Sequence, residues 1–328
     1  MPGLARRHFI GGLDIGTTKI VSVIAEISPS GYAMVKGLGE CPTLGIRKGL
    51  VTDIVSFSKV IDQAVRLSEK MANVKVRSFF VTASAFRQLA DQYHMIDEKL
   101  AESMQRVGLE LVKMVPSVLA SAEAVLTDTD KNIGTVLVDM GGTITEVAVF
   151  DQGLPIYISS LPVGCEHITS DLAVCLRTSI SEGERIKRLL GMQTLEQKKD
   201  LEVSSVGGHE QRKVPVNAAM DIIHSRVQEI FELIHKELTQ KYRLESLPGG
   251  LVLTGGGSLL KDIVNYANSQ MNFFKVELGS PSKVGVSKEE WLNPSYASSL
   301  GLVMYGAKNN SRRLERLSGW RDVLNKFI

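Results

Sequence analysis

Cysteine is scarce in this chain: its 328 residues include only Cys41, Cys165 and Cys175, and no Cys-x-x-Cys pair. An odd count without metal-type spacing indicates neither a disulfide framework nor a zinc site, and it fits a reducing compartment. Of the six histidines, His94, His167, His209, His224 and His235 show no ligand spacing either. Long apolar runs are missing as well. No stretch approaches the roughly 20 apolar residues that span a bilayer. Met1 to His8 leads into a strand-like run without the apolar core of a secretory signal, so a protein made and kept in the cytosol is expected. Strong charge of one sign is absent too. A formal net charge of +2, from 38 basic and 36 acidic residues, is too small and too evenly spread to argue for nucleic acid, so any basic partner site must be local.

What the chain does contain is an ordinary globular composition, 44% hydrophobic and 23% charged, with enough length for two domains. Three glycine-bearing signatures follow apolar strand-like runs in a fixed order. They are Asp14-Ile15-Gly16-Thr17-Thr18-Lys19, Asp139-Met140-Gly141-Gly142-Thr143 and Thr254-Gly255-Gly256-Gly257-Ser258. One such turn is ordinary hairpin chemistry. Three, two of them opened by an aspartate, point to a split phosphate clamp in which backbone N–H groups approach phosphate and Asp14 and Asp139 hold magnesium through water.

The first signature lies between the strands Phe9 to Leu13 and Ile20 to Ile27, with Tyr32 to Gly39 as a third strand. This strand-turn-strand setting differs from Rossmann and Walker loops, whose glycines open a helix. An amphipathic helix is expected over Ile54 to Met71, followed by a strand over Arg77 to Thr82. A helix over Val118 to Leu126 leads to the strands Gly134 to Val138 and Thr145 to Phe150 around the second signature. Strand, glycine turn and strand thus occur twice with an aspartate at the same place, which reads as a weak internal repeat with a cleft between its halves. Further on, a basic helix is expected over Ser181 to Leu190, a small hairpin over Leu201 to Val216 and the longest helix over Asn217 to Tyr242. A short strand over Leu251 to Leu253 delivers the third signature, and Ser258 is expected to cap a helix running to Asn268.

These signatures, in this order, resemble those of the actin, Hsp70 and sugar kinase superfamily, and within it the FtsA family of bacterial cell-division proteins. The resemblance covers most of the chain and is most specific over Leu253 to Leu260 and Leu300 to Lys308. It implies an α/β, actin-like (ribonuclease H-like) duplicated fold with two domains around a nucleotide cleft. Residues 1–151 would form domain 1. Residues 152–182 and 248–300 would form subdomain 2A, and 183–247 subdomain 2B. Residues 301–311 would return to subdomain 1A, ahead of a tail over 312–328. The cofactors implied are ATP and Mg2+. Asp14, Gly16, Thr17, Thr18 and Lys19 would form the first phosphate loop, and Asp139, Gly141, Gly142 and Thr143 the second. Gly255, Gly256, Gly257 and Ser258 would border the adenosine, with Glu184 and Lys187 reaching the ribose and base. The implied partners are the C-terminal peptide of FtsZ on subdomain 2B, the anionic inner membrane and further copies of the chain. Nucleic acid is not among them.

The chain departs from the family pattern in three places. Thr143, Ile144, Thr145 and Glu146 replace a third glycine and a Thr-Thr-Asp ending, which narrows the approach to phosphate. Ser117 and Val118 replace an acid and a proline, so ATP hydrolysis is expected to be weak or absent. Only residues 83–107 stand where the family inserts subdomain 1C. The expected role is therefore an ATP-binding scaffold that anchors the FtsZ ring to the membrane and recruits division proteins, more than a working ATPase. A PilM-like pilus-assembly homologue and a small actin-fold sugar kinase are the alternatives.

In the tail, Leu317, Trp320, Leu324 and Phe327 recur at spacings of three, four and three, among Arg312, Arg313, Arg316, Arg321 and Lys326. Such a stripe suits either a helix docked on its own domain or one lying in a membrane interface. The family resemblance selects the membrane.

Overall fold

The computed structural model describes residues 8–47, 50–82, 93–193, 200–206, 211–241, 247–271 and 275–309. The chain divides into two compact units, Met1–Val125 with Ser280–Ile328, and Leu126–Gly279. This differs from the division expected at 151. Residues 135–151 are hydrogen-bonded into the sheet of the second unit, and Gly285–Val286 into that of the first.

In the first unit the expected meander is present as β1 (His8–Ile15), β2 (Lys19–Ile27) and β3 (Ala33–Pro42), paired antiparallel in turn. Helix α1 (Ile54–Ala72) follows; Asp53 caps it by accepting from the N–H groups of Val55 and Ser56, and Asn73 ends it in the left-handed region at φ 52°. Phe57, Val60, Ile61, Ala64 and Val65 face the sheet. Burial of each large side chain contributes roughly 1.5–3 kcal/mol. Gly37 and Gly39 let β3 run close beneath this helix, since a Cβ at either would come within 2.0 and 2.1 Å of the Ser68 and Ala64 carbonyl oxygens. β4 (Ser78–Thr82) pairs parallel to β1, and α2 (Tyr93–Arg106) crosses to β5 (Glu110–Met114), parallel to β4. Residues 83–92 lie outside the described residues, but 93–106 form a regular crossover helix with Leu100 and Met104 fully buried. α3 (Ser117–Val125) packs on a C-terminal helix over 297–309, whose Leu300, Leu302, Val303 and Ala307 are buried.

The second unit opens with α4 (Asp128–Ile133), whose Thr127 and Asp130 cap one another. β6 (Thr135–Met140), β7 (Thr145–Asp151) and β8 (Leu154–Leu161) form a second antiparallel meander. Helices α5 (Cys165–Cys175) and α6 (Ile180–Leu190) lead to the hairpin β9 (Asp200–Ser204) and β10 (Gln211–Pro215). α7 (Val216–Lys241) buries the stripe Ile223, Val227, Ile230, Ile234 and Leu238. β11 (Leu251–Thr254) returns parallel to β6, and β12 (Val276–Leu278) lies parallel to β11.

The helix expected over Leu259 to Asn268, with Ser258 as its cap, is corrected. A 3-10 turn over Gly256–Leu259 comes first, Asp262 takes φ 62°, and α8 begins only at Ile263, ending at Gln270. Ser258 sits inside the 3-10 turn, where its hydroxyl bonds back to the Gly255 carbonyl at 2.7 Å, so it caps nothing downstream.

The two main sheets have the same construction. Strand order is β3-β2-β1-β4-β5 in the first, with Gly285–Val286 added outside β3, and β8-β7-β6-β11-β12 in the second. Asp14 stands opposite Val21 and Thr82, and Asp139 opposite Glu146 and Thr254. The weak sequence repeat is a duplicated fold, matched to the residue at the strand ends that carry the aspartates.

Candidate functional site

The first loop is a tight turn between β1 and β2. The Gly16 N–H donates to the Lys19 carbonyl at 3.0 Å, and a Cβ on Gly16 would lie 2.9 Å from that oxygen, so glycine is set by the turn itself. Thr43 fastens the loop from β3's end, through its N–H to the Thr18 carbonyl at 3.0 Å and its hydroxyl to the Gly16 carbonyl at 2.8 Å. Asp14 is half-buried, and its two carboxylate oxygens accept from Thr82 and Ser298 respectively. Burial pushes this carboxyl above the usual range, opposed by the two hydroxyls and by the charge of Lys19. Lys19 is paired with Glu40 at 2.8 Å and lies 4.0 Å from the centre of the Tyr296 ring. Burial and a hydrogen bond with Glu40 push the Tyr296 phenol up to about 12.

The second loop repeats the turn. The Gly141 N–H donates to the Ile144 carbonyl at 2.9 Å, and a Cβ on Gly141 would meet that oxygen at 2.7 Å. Ile144, buried, stands where the first loop has Lys19. The loop carbonyls face α5: Cys165 and Glu166 donate their N–H groups to Gly141 and Gly142 at 3.1 and 2.7 Å. Gly164 permits this, because a Cβ there would come within 2.5 Å of the Gly142 carbonyl oxygen. Among the described residues, no hydrogen bond within the protein engages the N–H of Thr17 or Thr18, or of their counterparts Gly142 and Thr143. Each loop therefore presents two consecutive donors at a partly or fully exposed position. That is the arrangement a phosphate oxygen needs.

The third signature is mostly internal support. Gly255, at φ 84°, has the Asp139 carboxylate against it, 2.3 Å from where a Cβ would be, and Gly257 lies as closely against Met140 and Cys165. Gly255, Gly257 and Ser258 are buried, and Gly256 alone of the four is exposed. Lys187 and Glu184 pair at 2.6 Å on α6, and Lys187 also donates to Thr169 and the Cys165 carbonyl at 2.9 and 3.2 Å. Burial tends to raise the Glu184 carboxyl, but hydrogen bonds from Lys187, Thr169 and Arg188 outweigh it and hold the group at about 2. Burial also pushes the Cys165 thiol up to about 11.

Sequence reasoning did not single out Thr82, Ser298, Tyr296, Glu40, Thr43 or Thr169. Only the register of Thr82 at the end of its strand, beside Asp14, offered a signal. The four tail residues Leu317, Trp320, Leu324 and Phe327 lie outside the described residues. No helix among the described residues is long and apolar enough to cross a membrane. No cluster of three or more His, Cys, Asp or Glu side chains able to hold a metal occurs among them.

A family model described as "Cell division protein FtsA" matches residues 136–301, half of the chain. The cell division protein FtsA of Pseudomonas aeruginosa is 27% identical over 390 positions, covering 95% of this chain and 92% of that protein. Its alignment is longer than the chain, so that relative carries stretches without a counterpart here. Among solved structures, MreB5 of Spiroplasma citri bound to AMPPNP superposes with a TM-score of 0.72 at 15% identity, covering 95% of this chain and 99% of that one. A PilM-PilN type IV pilus biogenesis complex gives 0.70 at 16% identity, covering 91% and 98%. The shared fold is actin-like.

Proposed function

The chain belongs to the FtsA family of cell-division proteins, and from that membership we propose an ATP-binding scaffold that ties the FtsZ ring to the inner face of the cytoplasmic membrane. Nucleotide binding rests on one observation above the others: two loops of the same construction each end an aspartate-bearing strand and, among the described residues, each leave two adjacent N–H groups unengaged. The nucleotide-bound state of MreB5, a protein of the same fold, points the same way. The residues fit the group. Thr17, Thr18, Gly142 and Thr143 would donate to phosphate oxygens, and Lys19 would exchange Glu40 for phosphate charge. Asp14 and Asp139 would hold Mg2+ through water, the ion neutralising phosphate charge. Glu184 and Lys187 hold each other and Thr169 in place, so their contribution to the ribose and base is one of shape.

Ser117, buried at the start of α3, offers no carboxylate or amide for orienting an attacking water, so turnover should be slow or absent. The FtsZ C-terminal peptide is assigned to residues 183–247, which include most of α6, the β9–β10 hairpin and α7. The basic, aromatic tail over 312–328 is assigned to the membrane. The stretch 83–107 is assigned as replacing subdomain 1C, which fits an alignment longer than the chain. Equilibrium titration with ATP, with and without Mg2+, tests the reading. Wild type should bind, and Asp14→Asn or Asp139→Asn should each weaken Mg2+-dependent binding about tenfold, near 1.4 kcal/mol. A wild-type protein that takes up no ATP at millimolar concentration overturns it.

A further inference from the structure

The first loop is gripped by a stretch of chain that reaches it from the far end of the sequence. Asn293 caps a short 3-10 turn over Pro294–Tyr296, accepting the Ser295 N–H at 2.9 Å, and the C-terminal helix begins directly after it. Tyr296 places its ring beneath the Lys19 ammonium, and Ser298 gives its hydroxyl to one oxygen of Asp14. Thr82, fully buried at the end of β4, gives its hydroxyl to the other. The helix that carries Ser298 is held down by buried Leu300, Leu302 and Val303 and by the close seating of Gly301 on Ala120. Its first turn is therefore a fixed support.

The duplicate unit shows that this arrangement is not a requirement of the fold. Thr254 occupies the register of Thr82, yet its hydroxyl goes to the Gly279 carbonyl at 2.8 Å and not to the neighbouring aspartate. The strand-end backbone contact is the same in both units: Val115 donates to Val81 at 2.8 Å, and Gly279 to Leu253 at 2.8 Å. The difference therefore lies in where the threonine hydroxyl is aimed. A carboxylate with one hydroxyl on each oxygen has its plane fixed, and the lone pairs left over point in set directions.

We propose that Ser298 and Thr82 are positioning residues for the cation site of the first loop, holding the Asp14 carboxylate so that its remaining lone pairs face hydrated Mg2+. The inference rests on the ATP and Mg2+ reading above. Each hydroxyl proton is committed to Asp14, so neither is left to donate to the nucleotide. Their effect is confined to the metal-dependent part of binding, which a purely structural pair would not show.

The test titrates the full chain with ATP in Mg2+ and again in EDTA, for wild type, Ser298→Ala, Ser298→Thr, Thr82→Val and Thr82→Ser, with a thermal melt on each. Ser298→Ala should weaken binding in Mg2+ about tenfold, the scale of one hydrogen bond to a charged group, and change binding in EDTA by less than about twofold. Ser298→Thr and Thr82→Ser should restore the Mg2+ value. Wild-type affinity in Ser298→Ala, or an equal loss in both buffers, overturns the inference while leaving ATP binding intact. Wild-type affinity that is the same in Mg2+ and EDTA removes the cation site itself, and the inference with it. If Thr82→Val melts early, Ser298→Ala decides alone, since it deletes a single hydroxyl.

Discussion

Glu184 is about a third exposed at 32%, yet it accepts from Lys187, Thr169 and Arg188 at 2.6 to 2.7 Å. The folded chain therefore keeps this carboxylate charged down to about pH 2, whereas an unfolded glutamate takes up its proton near 4.5. The unfolded state binds more protons in that interval, so the network's stabilisation is complete above about pH 4.5 and is lost as pH falls towards 2. Glu184→Gln should flatten the acid side of a plot of urea midpoint against pH in this window. An unchanged plot would show that the network carries no proton linkage. The same residues show what a sequence can and cannot disclose. Glycine in a turn and aspartate before it announce themselves locally, so both loops were legible down to Gly16 and Gly141. Ser298, the more distant of Asp14's two partners, was not, because it is 284 positions away and no periodicity connects the two.

At the scale of elements, periodicity served best where burial is one-sided. α1 and α7 match their expected spans within a residue, as apolar stripes on one face require. It failed after β11, where a serine following three glycines suits either a cap or a bond back into its own turn, and only packing decides between them. The C-terminal helix gives a sharper test of packing. A Cβ on Gly301 would come within 1.7 Å of the Ala120 carbonyl oxygen of α3, a contact neither backbone can relieve without moving. Gly301→Ala should destabilise the first unit by about 1–3 kcal/mol, towards the upper end because the obstacle is backbone. On an exposed helix the same change would stabilise by roughly 1 kcal/mol, so the sign of the shift in a denaturant melt reports whether the contact exists in solution.

For the whole molecule, the architecture was legible as a repeat and misdivided in sequence. Strand-turn-strand patterns showed that something occurs twice. They could not show that residues 135–151 pair forward with β8 and β11, because strand pairing is a property of register and not of composition. The membrane attachment proposed for the tail also belongs to this scale. The segment 312–328 has five basic residues against Glu315 and Asp322. Each basic residue near an anionic leaflet contributes about 1 kcal/mol, so binding should be reversible and salt-sensitive. Trp320→Glu should lower the fraction of protein that floats with anionic liposomes, and equal flotation of both proteins would remove the tail from the account.

A chain built twice also supplies its own reference state. Asp14 and Asp139, Gly16 and Gly141, Thr82 and Thr254, and Lys19 and Ile144 are matched positions in matched sheets. A change made at one member of a pair can be read against the same change at the other, with backbone geometry held constant between them. The contrast between Lys19 and Ile144 is the most informative of these: the second loop keeps the turn without the charge, in the same molecule.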